Sequence, residues 1–380
     1  MRLKILHIIP SLRKGGAERI VLDICNELNK EQNIEVHIVT FYEENEYQFL
    51  TNAISWEVIP SKVIPSITKK AIIDTALLQE KVDFFQPDII HTHLYESEII
   101  LSQVNIGKAK RFSHFHDKMI QLDNSLLFNV SLKNKITNFY ERNIIVKTLK
   151  PSINNFICIS NDTYLYAKKT LPKKLLESIS LLSNAIDVSR FENSKTKAIL
   201  VKKNRLVNIG SFVKNKNQAF LIDVVKELSN YDIELLLLGD GPLRKEMEAK
   251  VFENNLEDRI FFKGQVENVE SYLWNSDIYV HSSFSEAFGL VFLEAMAAGL
   301  PVITLDGKGN RDLIEEGKNG YMIYDQDPEK FAQRIIYLIE NKGKYAEISN
   351  YCKEYAKKYD IKEYVNKLLI LYKDSMSSTN

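Results

Sequence analysis

Only three cysteines occur in 380 residues: Cys25, Cys158 and Cys352. They lie far apart and match no metal-ligand spacing. Cys25 and Cys158 sit in apolar contexts, so buried thiols in a reducing cytoplasm are the expectation. No segment approaches about eighteen uninterrupted apolar residues, which excludes a membrane-spanning helix. The apolar run within Met1 to Pro10 is too short for the flank-and-core pattern of a signal peptide. Net charge is missing as well: 50 Lys and Arg balance 50 Asp and Glu. No overall field therefore recruits nucleic acid or membrane. A G-x-G-x-x-G loop is absent, which leaves an NAD or FAD site with little support. Nothing marks an activated nucleophile.

What is present is an ordinary globular composition, 45% hydrophobic and 26% charged, in a chain long enough for two domains. The charge is uneven. Residues 101 to 180 carry thirteen basic against five acidic side chains, a face suited either to solvent or to anionic lipid or a phosphorylated acceptor. Short apolar runs alternate with amphipathic stretches, the pattern of βαβ units. Strands are predicted at residues 4–10, 34–41, 89–93 and 155–160, with a helix over 17–28. A second series begins after Asn184 to Asp187, with strands at 205–210, 233–238, 259–263, 278–281 and 301–305. Its helices are predicted at 218–229, 243–252, 269–275, 289–298 and 331–342. The expected fold class is α/β, with Rossmann-like domains over residues 1–186 and 187–362. A helix over about 363–380 returns to the first domain. Doubly wound sheets bind ligands at the carboxyl ends of their strands, here predicted to face a gap between the domains.

The segment from Ser282 to Val302 carries the strongest chemical signal. It follows a strand and opens a helix near Phe288, so the N–H groups of Phe288, Gly289 and Leu290 would sit at a positive dipole end. Gly289 allows a ligand close to the backbone. Glu286 and Glu294 flank these amides. Eight helical residues rise about 12 Å, whereas a retaining glycosidase needs carboxyls about 5–5.5 Å apart, so a glycosidase pair is a poor reading. Two hydroxyl-binding carboxylates at opposite ends of an extended phosphate-linked sugar fit better.

That spacing of Glu286 and Glu294, with Phe288-Gly-Leu290 between and Ala298-Gly-Leu-Pro-Val302 after, resembles glycosyltransferase family 4, of the GT-B fold. The Gly15-Gly16 loop, the Asp88 to His93 strand, His116-Asp117, Asn184 to Asp187 and Gly239-Asp-Gly241 follow in the family's order. The resemblance implies two Rossmann-like domains facing across a cleft, and transfer from a nucleotide-diphosphate sugar with retention of configuration. It assigns Glu286 to the donor hexose, Glu294 to the ribose, and the Phe288 to Leu290 amides to the sugar diphosphate. His116 would hydrogen-bond the transferred sugar, with Asp117 helping to orient it. Family members commonly place an arginine after the glycine corresponding to Gly210 and a lysine five residues on. Here those positions are Ser211 and Lys216, which leaves an ammonium but no bidentate guanidinium for the diphosphate; Lys214 is a substitute. The amides of Gly15 and Gly16 are expected over the donor phosphate or the acceptor. Gly307 to Asp312 is expected to present further amides with Lys308 and Arg311.

His91 with His93, and His114 with His116, form two His-x-His pairs. Alternate strand residues share a face, so each pair could hold a metal. No acidic cluster completes either, and imidazoles lining a polyol site are the simpler account. His91, His93 and His114 read as structural. The expectation is a glycosyltransferase needing neither cofactor nor metal, its donor a UDP-sugar first and GDP-mannose second. The acceptor would be a glycan or lipid-linked glycan, at the cytoplasmic face of a membrane. A sugar-nucleotide 2-epimerase of the same fold, a non-catalytic nucleotide-sugar binder and a metal hydrolase are the competing readings.

Overall fold

The computed structural model describes residues 2–64, 72–123, 132–192 and 204–377. Its contacts divide the chain into two units, residues 1–184 with 361–380, and residues 185–360. The first contains β1 (Leu3–Ile9), β2 (Ile34–Thr40), β3 (Ser55–Val58), the short antiparallel pair β4 (Val63–Ile64) and β5 (Ile72–Ile73), β6 (Ile89–His93), β7 (Lys110–Phe115), β8 (Asn154–Cys158) and β9 (Ile179–Leu181). The main sheet runs β3-β2-β1-β6-β7-β8-β9, every pair parallel. A parallel sheet is covered on both faces, so its central strands read as continuous buried runs. The last five residues of β1 and all of β6 and β7 are buried. Such a run holds no alternation. β7 starts with Lys110 and Arg111, which explains why its polarity hides it from a hydrophobicity reading.

The helix Gly16–Leu28 crosses from β1 to β2 and buries Ile20, Val21, Ile24, Cys25 and Leu28. Spacings of three and four put these on one face. The final helix, Ile361–Ser377, buries Ile361, Tyr364, Val365, Leu368 and Tyr372 by the same logic. It packs on Gly16–Leu28. Its Tyr372 hydroxyl lies 2.6 Å from His91 Nδ1, so the chain's last helix plugs the core of the unit its first strand founds.

The second unit holds β10 (Asn204–Ile209), β11 (Ile233–Leu238), β12 (Ile260–Gly264), β13 (Ile278–His281), β14 (Val302–Leu305) and β15 (Gly320–Ile323). Their order is β12-β11-β10-β13-β14-β15, again all parallel. In both units the strand order reverses beside the first strand, between β1 and β6 and between β10 and β13. These are the topological switch points, where connections leave in opposite directions and open a crevice at the carboxyl ends.

The turn after β10 is held from β11. Gly239 has φ +136°, and a Cβ there would sit 2.1 Å from the Gly210 carbonyl oxygen. Phe212 N–H donates to the Asp240 carbonyl, and Leu243 N–H to that of Phe212. The Gly239-Asp-Gly241 motif therefore sets the backbone that carries Ser211. Replacing Gly239 with Ala combines backbone strain with a main-chain clash. It should cost at least about 2 kcal/mol of stability, read as a lower urea midpoint at unchanged slope; an unshifted midpoint would refute the clamp.

Candidate functional site

The carboxyl end of β13 runs into Ser282, Ser283 and Glu286, and the helix Leu290–Ala297 follows. Its N-cap is Gly289 at φ +99°, a conformation that side chains avoid. A Cβ there would also press to 2.6 Å on the Phe292 ring. Among the described residues, no backbone or side-chain acceptor takes the N–H groups of Gly289, Leu290 or Val291. These unpaired donors open a helix of eight residues, the geometry that suits an anion. Phe288 N–H has no described acceptor either, while the residue is 2% exposed. Its ring faces Tyr359 and anchors the loop.

Glu286 is the centre of the polar network. Its main chain is fixed on both sides: Glu286 N–H donates to Gly307 O at 2.8 Å and Gly309 N–H to Glu286 O at 3.1 Å. Gly309 has no room for a side chain, since a Cβ would lie 2.2 Å from the Glu286 carbonyl oxygen. The Glu286 carboxylate Oε1 takes Lys216 Nζ at 2.5 Å and His281 Nε2–H at 2.8 Å. His281 Nδ1 in turn faces the Tyr279 hydroxyl at 3.1 Å, and Ser283 Oγ lies 2.8 Å from Nε2.

The charges follow from burial and partners. Burial resists ionisation of Glu286, but the His281 hydrogen bond and the Lys216 cation outweigh it and hold the carboxyl well below the usual range. Burial lowers His281, against the pull of Glu286, so the imidazole is neutral and donates through Nε2–H. Burial also raises Tyr279, with Glu286 and Glu294 adding to it, so its hydroxyl stays protonated and donates to His281. Tyr279 thus feels both acids, Glu286 from the loop and Glu294 from the helix.

Lys216 is tied in from the other side. Ser282 Oγ–H donates to its carbonyl at 2.9 Å. Asn215 brackets the same loop, accepting from Phe284 N–H and donating to Ser285 O. Gln218 holds the Ser211 carbonyl at 3.1 Å, leaving the Ser211 side chain exposed. Lys214 is exposed too. Sequence reasoning missed His281 and Tyr279 as partners in this network; it expected Gly307 to Asp312 to present amides to a ligand, whereas the Gly307 carbonyl and the Gly309 N–H strap the Glu286 main chain.

Several expectations need correction. Gly15 does not offer a free amide: its N–H donates to the Tyr47 hydroxyl at 3.1 Å, and that hydroxyl donates back to Gly15 O at 3.0 Å. Gly16 opens the Gly16–Leu28 helix and is exposed. Asp117 is exposed and folds onto the next residue's N–H at 2.7 Å; the described partner of His116 is His93, not Asp117. Arg311 is engaged by Asp306 at 2.5 and 2.8 Å. The basic stretch is not one surface: Lys110 and Arg111 are buried, 6% and 3% exposed. Lys110 binds Ser152 O, and Arg111 pairs with the equally buried Glu98. Lys133 and Lys135 have side chains outside those described.

In the first unit, β1, β6 and β7 carry His7, His91, His93 and His114, and His116 follows directly after β7, all five buried. Two triads, His7 with His91 and His93, and His93 with His114 and His116, each bring one ring nitrogen per residue within 4.8 Å of the others. Burial lowers His7 and His116 to about 3 and lowers the other three. Neutral imidazole is the form in which all five pack.

Comparison with known proteins gives matches along nearly the whole chain. The family model described as Glycosyltransferase Family 4 matches residues 14–190, and that described as Glycosyl transferases group 1 matches residues 189–359. An uncharacterised glycosyltransferase of Methanocaldococcus jannaschii is 26% identical over 358 residues, 93% of each chain. An α-1,4-N-acetyl-D-galactosaminyltransferase of Campylobacter jejuni, named for an undecaprenol-diphosphate-linked glycan, is 23% identical over 94% of this chain and 95% of its own. Among solved structures, the Anabaena protein HepE in complex with UDP superposes with a TM-score of 0.79 at 20% identity, covering 99% of this chain and 100% of that one.

Between pH 6.5 and about 3, His7 and His116 bind protons when unfolded but not when folded. Their contribution is complete above pH 6.5 and declines as pH falls toward 3, by about 1.4 kcal/mol per unit for each histidine. Urea unfolding at pH 5.5 should therefore show about 3 kcal/mol less stability than at pH 7.5 from these two alone. A flat profile would mean that the cluster is charged or hydrated.

Proposed function

The chain belongs to glycosyltransferase family 4 and is a glycosyltransferase of the GT-B class, and from that premise we propose that it moves a hexose or N-acetylhexosamine from a UDP-sugar, with retention, onto a lipid-linked glycan. One observation carries the reading: an ionised Glu286, a lysine cation and a helix start with unpaired N–H groups meet at the switch point of the second unit's sheet. Amides and ammonium suit a diphosphate, and the acids suit the hydroxyls beside it.

The roles divide by charge. The N–H groups of Gly289 and Leu290, with Lys216, stabilise the negative charge that grows on the departing diphosphate. Glu286 accepts hydrogen bonds from donor hydroxyls and fixes the ring, and Glu294 holds the ribose. Positioning of donor and acceptor supplies the remainder, and no covalent intermediate on the protein is required. Ser211, standing where an arginine is usual, leaves Lys216 as the principal diphosphate cation. His116, at the edge of the first unit's buried imidazoles, is the proposed hydrogen-bond donor to a sugar hydroxyl.

UDP as the donor's nucleotide is supported by HepE, whose structure contains UDP. A lipid-diphosphate acceptor is supported by the Campylobacter relative. No helix among the described residues is long and apolar enough to cross a membrane. Contact with a lipid-bound acceptor would rest on exposed lysines such as Lys147, Lys168, Lys169 and Lys173.

Glu286→Gln keeps the side-chain shape and removes its charge. Transfer from a radiolabelled UDP-sugar panel to extracted lipid-linked glycans should fall by about 100-fold or more, with the circular-dichroism spectrum unchanged. Turnover close to wild type would end the assignment of this carboxylate. Labelled sugar that is rearranged on its nucleotide but never transferred would identify an epimerase instead.

A further inference from the structure

The first unit holds a hydrogen-bonded line of imidazoles. His116 Nε2 lies 2.9 Å from His93 Nδ1, and His93 Nε2 lies 2.9 Å from His7 Nδ1. All three rings are buried, and the line is carried by β1, β6 and the residue that follows β7, on three adjacent parallel strands. The two nitrogens at its ends, His116 Nδ1 and His7 Nε2, are both buried without a hydrogen-bond partner.

A neutral imidazole carries one N–H and one lone pair. Each of the two contacts needs a donor on one side and an acceptor on the other. His93 sits in both contacts, so its single proton couples them: if it donates to His116, it must accept from His7. The line has only two arrangements, with all three protons on Nδ1 or all three on Nε2. We propose that His7 and His93 are positioning residues that lock His116 into the Nδ1–H form, so that His116 meets its ligand as a hydrogen-bond donor.

Burial selects the arrangement. In either one, one end bears an N–H and the other a bare lone pair. An unpaired buried N–H is the costlier orphan. Both end nitrogens are buried, but His7 is 0% exposed whereas His116 is 7% exposed, so the His116 end is the one that borders the surface and where a ligand oxygen can be brought to the N–H. The donor role for a sugar oxygen rests on the function proposed above; the tautomer does not.

Metal ligation would use the same atoms. His93 belongs to both triads that bring three ring nitrogens together, and both of its nitrogens are already engaged. An ion in either triad would have to break one of these contacts. Ring stacking points the same way: His114 lies on His116 with centroids 4.0 Å apart at 22°, an arrangement that does not aim two in-plane lone pairs at one point.

The test uses the ligand-free full chain with ¹⁵N-labelled histidine, read by long-range ¹H–¹⁵N correlation, with the three rings assigned from single-histidine variants. The expected spectrum shows Nδ1 protonated and Nε2 bare in His7, His93 and His116. Mixed tautomers, protonation on Nε2 throughout, or an imidazolium among the three would overturn the proposal. So would stoichiometric zinc by elemental analysis with metal-shifted His93 nitrogens. His7→Leu removes the terminal donor and should move His116 Nδ1 away from a purely N–H-type resonance. His7→Asn places an amide donor near the lost Nδ1 and should restore it. A His116 signal unmoved by His7→Leu refutes the coupling; if that variant does not fold, the wild-type spectrum decides alone. Sugar-transfer assays do not enter, so failure here is separate from failure of the assigned activity.

Discussion

The contact between Lys216 and Glu286 organises the candidate site. Each charge would be costly alone where it sits, since the carboxylate side chain is only 10% exposed and that of the lysine 26%. Together, and with the neutral His281 donating to the same oxygen, they are stable. The pair also has a consequence for binding. On the proposed function, a diphosphate approaching Lys216 would compete with Glu286 for the same ammonium, so that donor entry would be an exchange of anions releasing Glu286 toward the sugar. The resting pair keeps both groups in reach and ionised.

The surrounding fold serves this pair. β10 and β13 are neighbours at the switch point, so the loops after them, carrying Lys216 and Glu286, meet across the crevice mouth. Glycines make the approach possible: Gly239 under the Gly210 carbonyl and Gly309 under that of Glu286. In the first unit the strands beside the switch point carry a buried cluster of imidazoles, uncharged polarity in place of the ion pair. Two sheets of the same winding have thus been given different chemistry by side chains at corresponding places.

Much of this was legible in the sequence, where the signal was local. The helix beginning at Leu290 was announced by its glycine and its apolar run, and Glu286 and Glu294 by their spacing around it. The strands from Leu3 and Ile233 stood out as continuous apolar runs. What escaped was non-local. β7 begins with Lys110 and Arg111, whose burial depends on Ser152 O and Glu98, distant partners that no window contains. β15 is four residues long and begins with Gly320, too short and weak for a periodicity. Gly15 looked free because its occupant, Tyr47, lies 32 residues away. His281 looked like the polar end of a strand, and its link to Glu286 is a matter of the loop's return. The histidine pairs left metal ligation standing as a competing reading, because spacing reports shared faces, not which nitrogen already has a partner.

Calorimetric titration of UDP into the wild type, Lys216→Met and Glu286→Gln tests the anion exchange most directly. The account predicts opposite effects. Loss of the ammonium should weaken UDP, while loss of the competing carboxylate charge should leave UDP binding equal or tighter. If Glu286→Gln weakened UDP as much as Lys216→Met does, or if neither changed it, Lys216 would not be a diphosphate site held in reserve by Glu286.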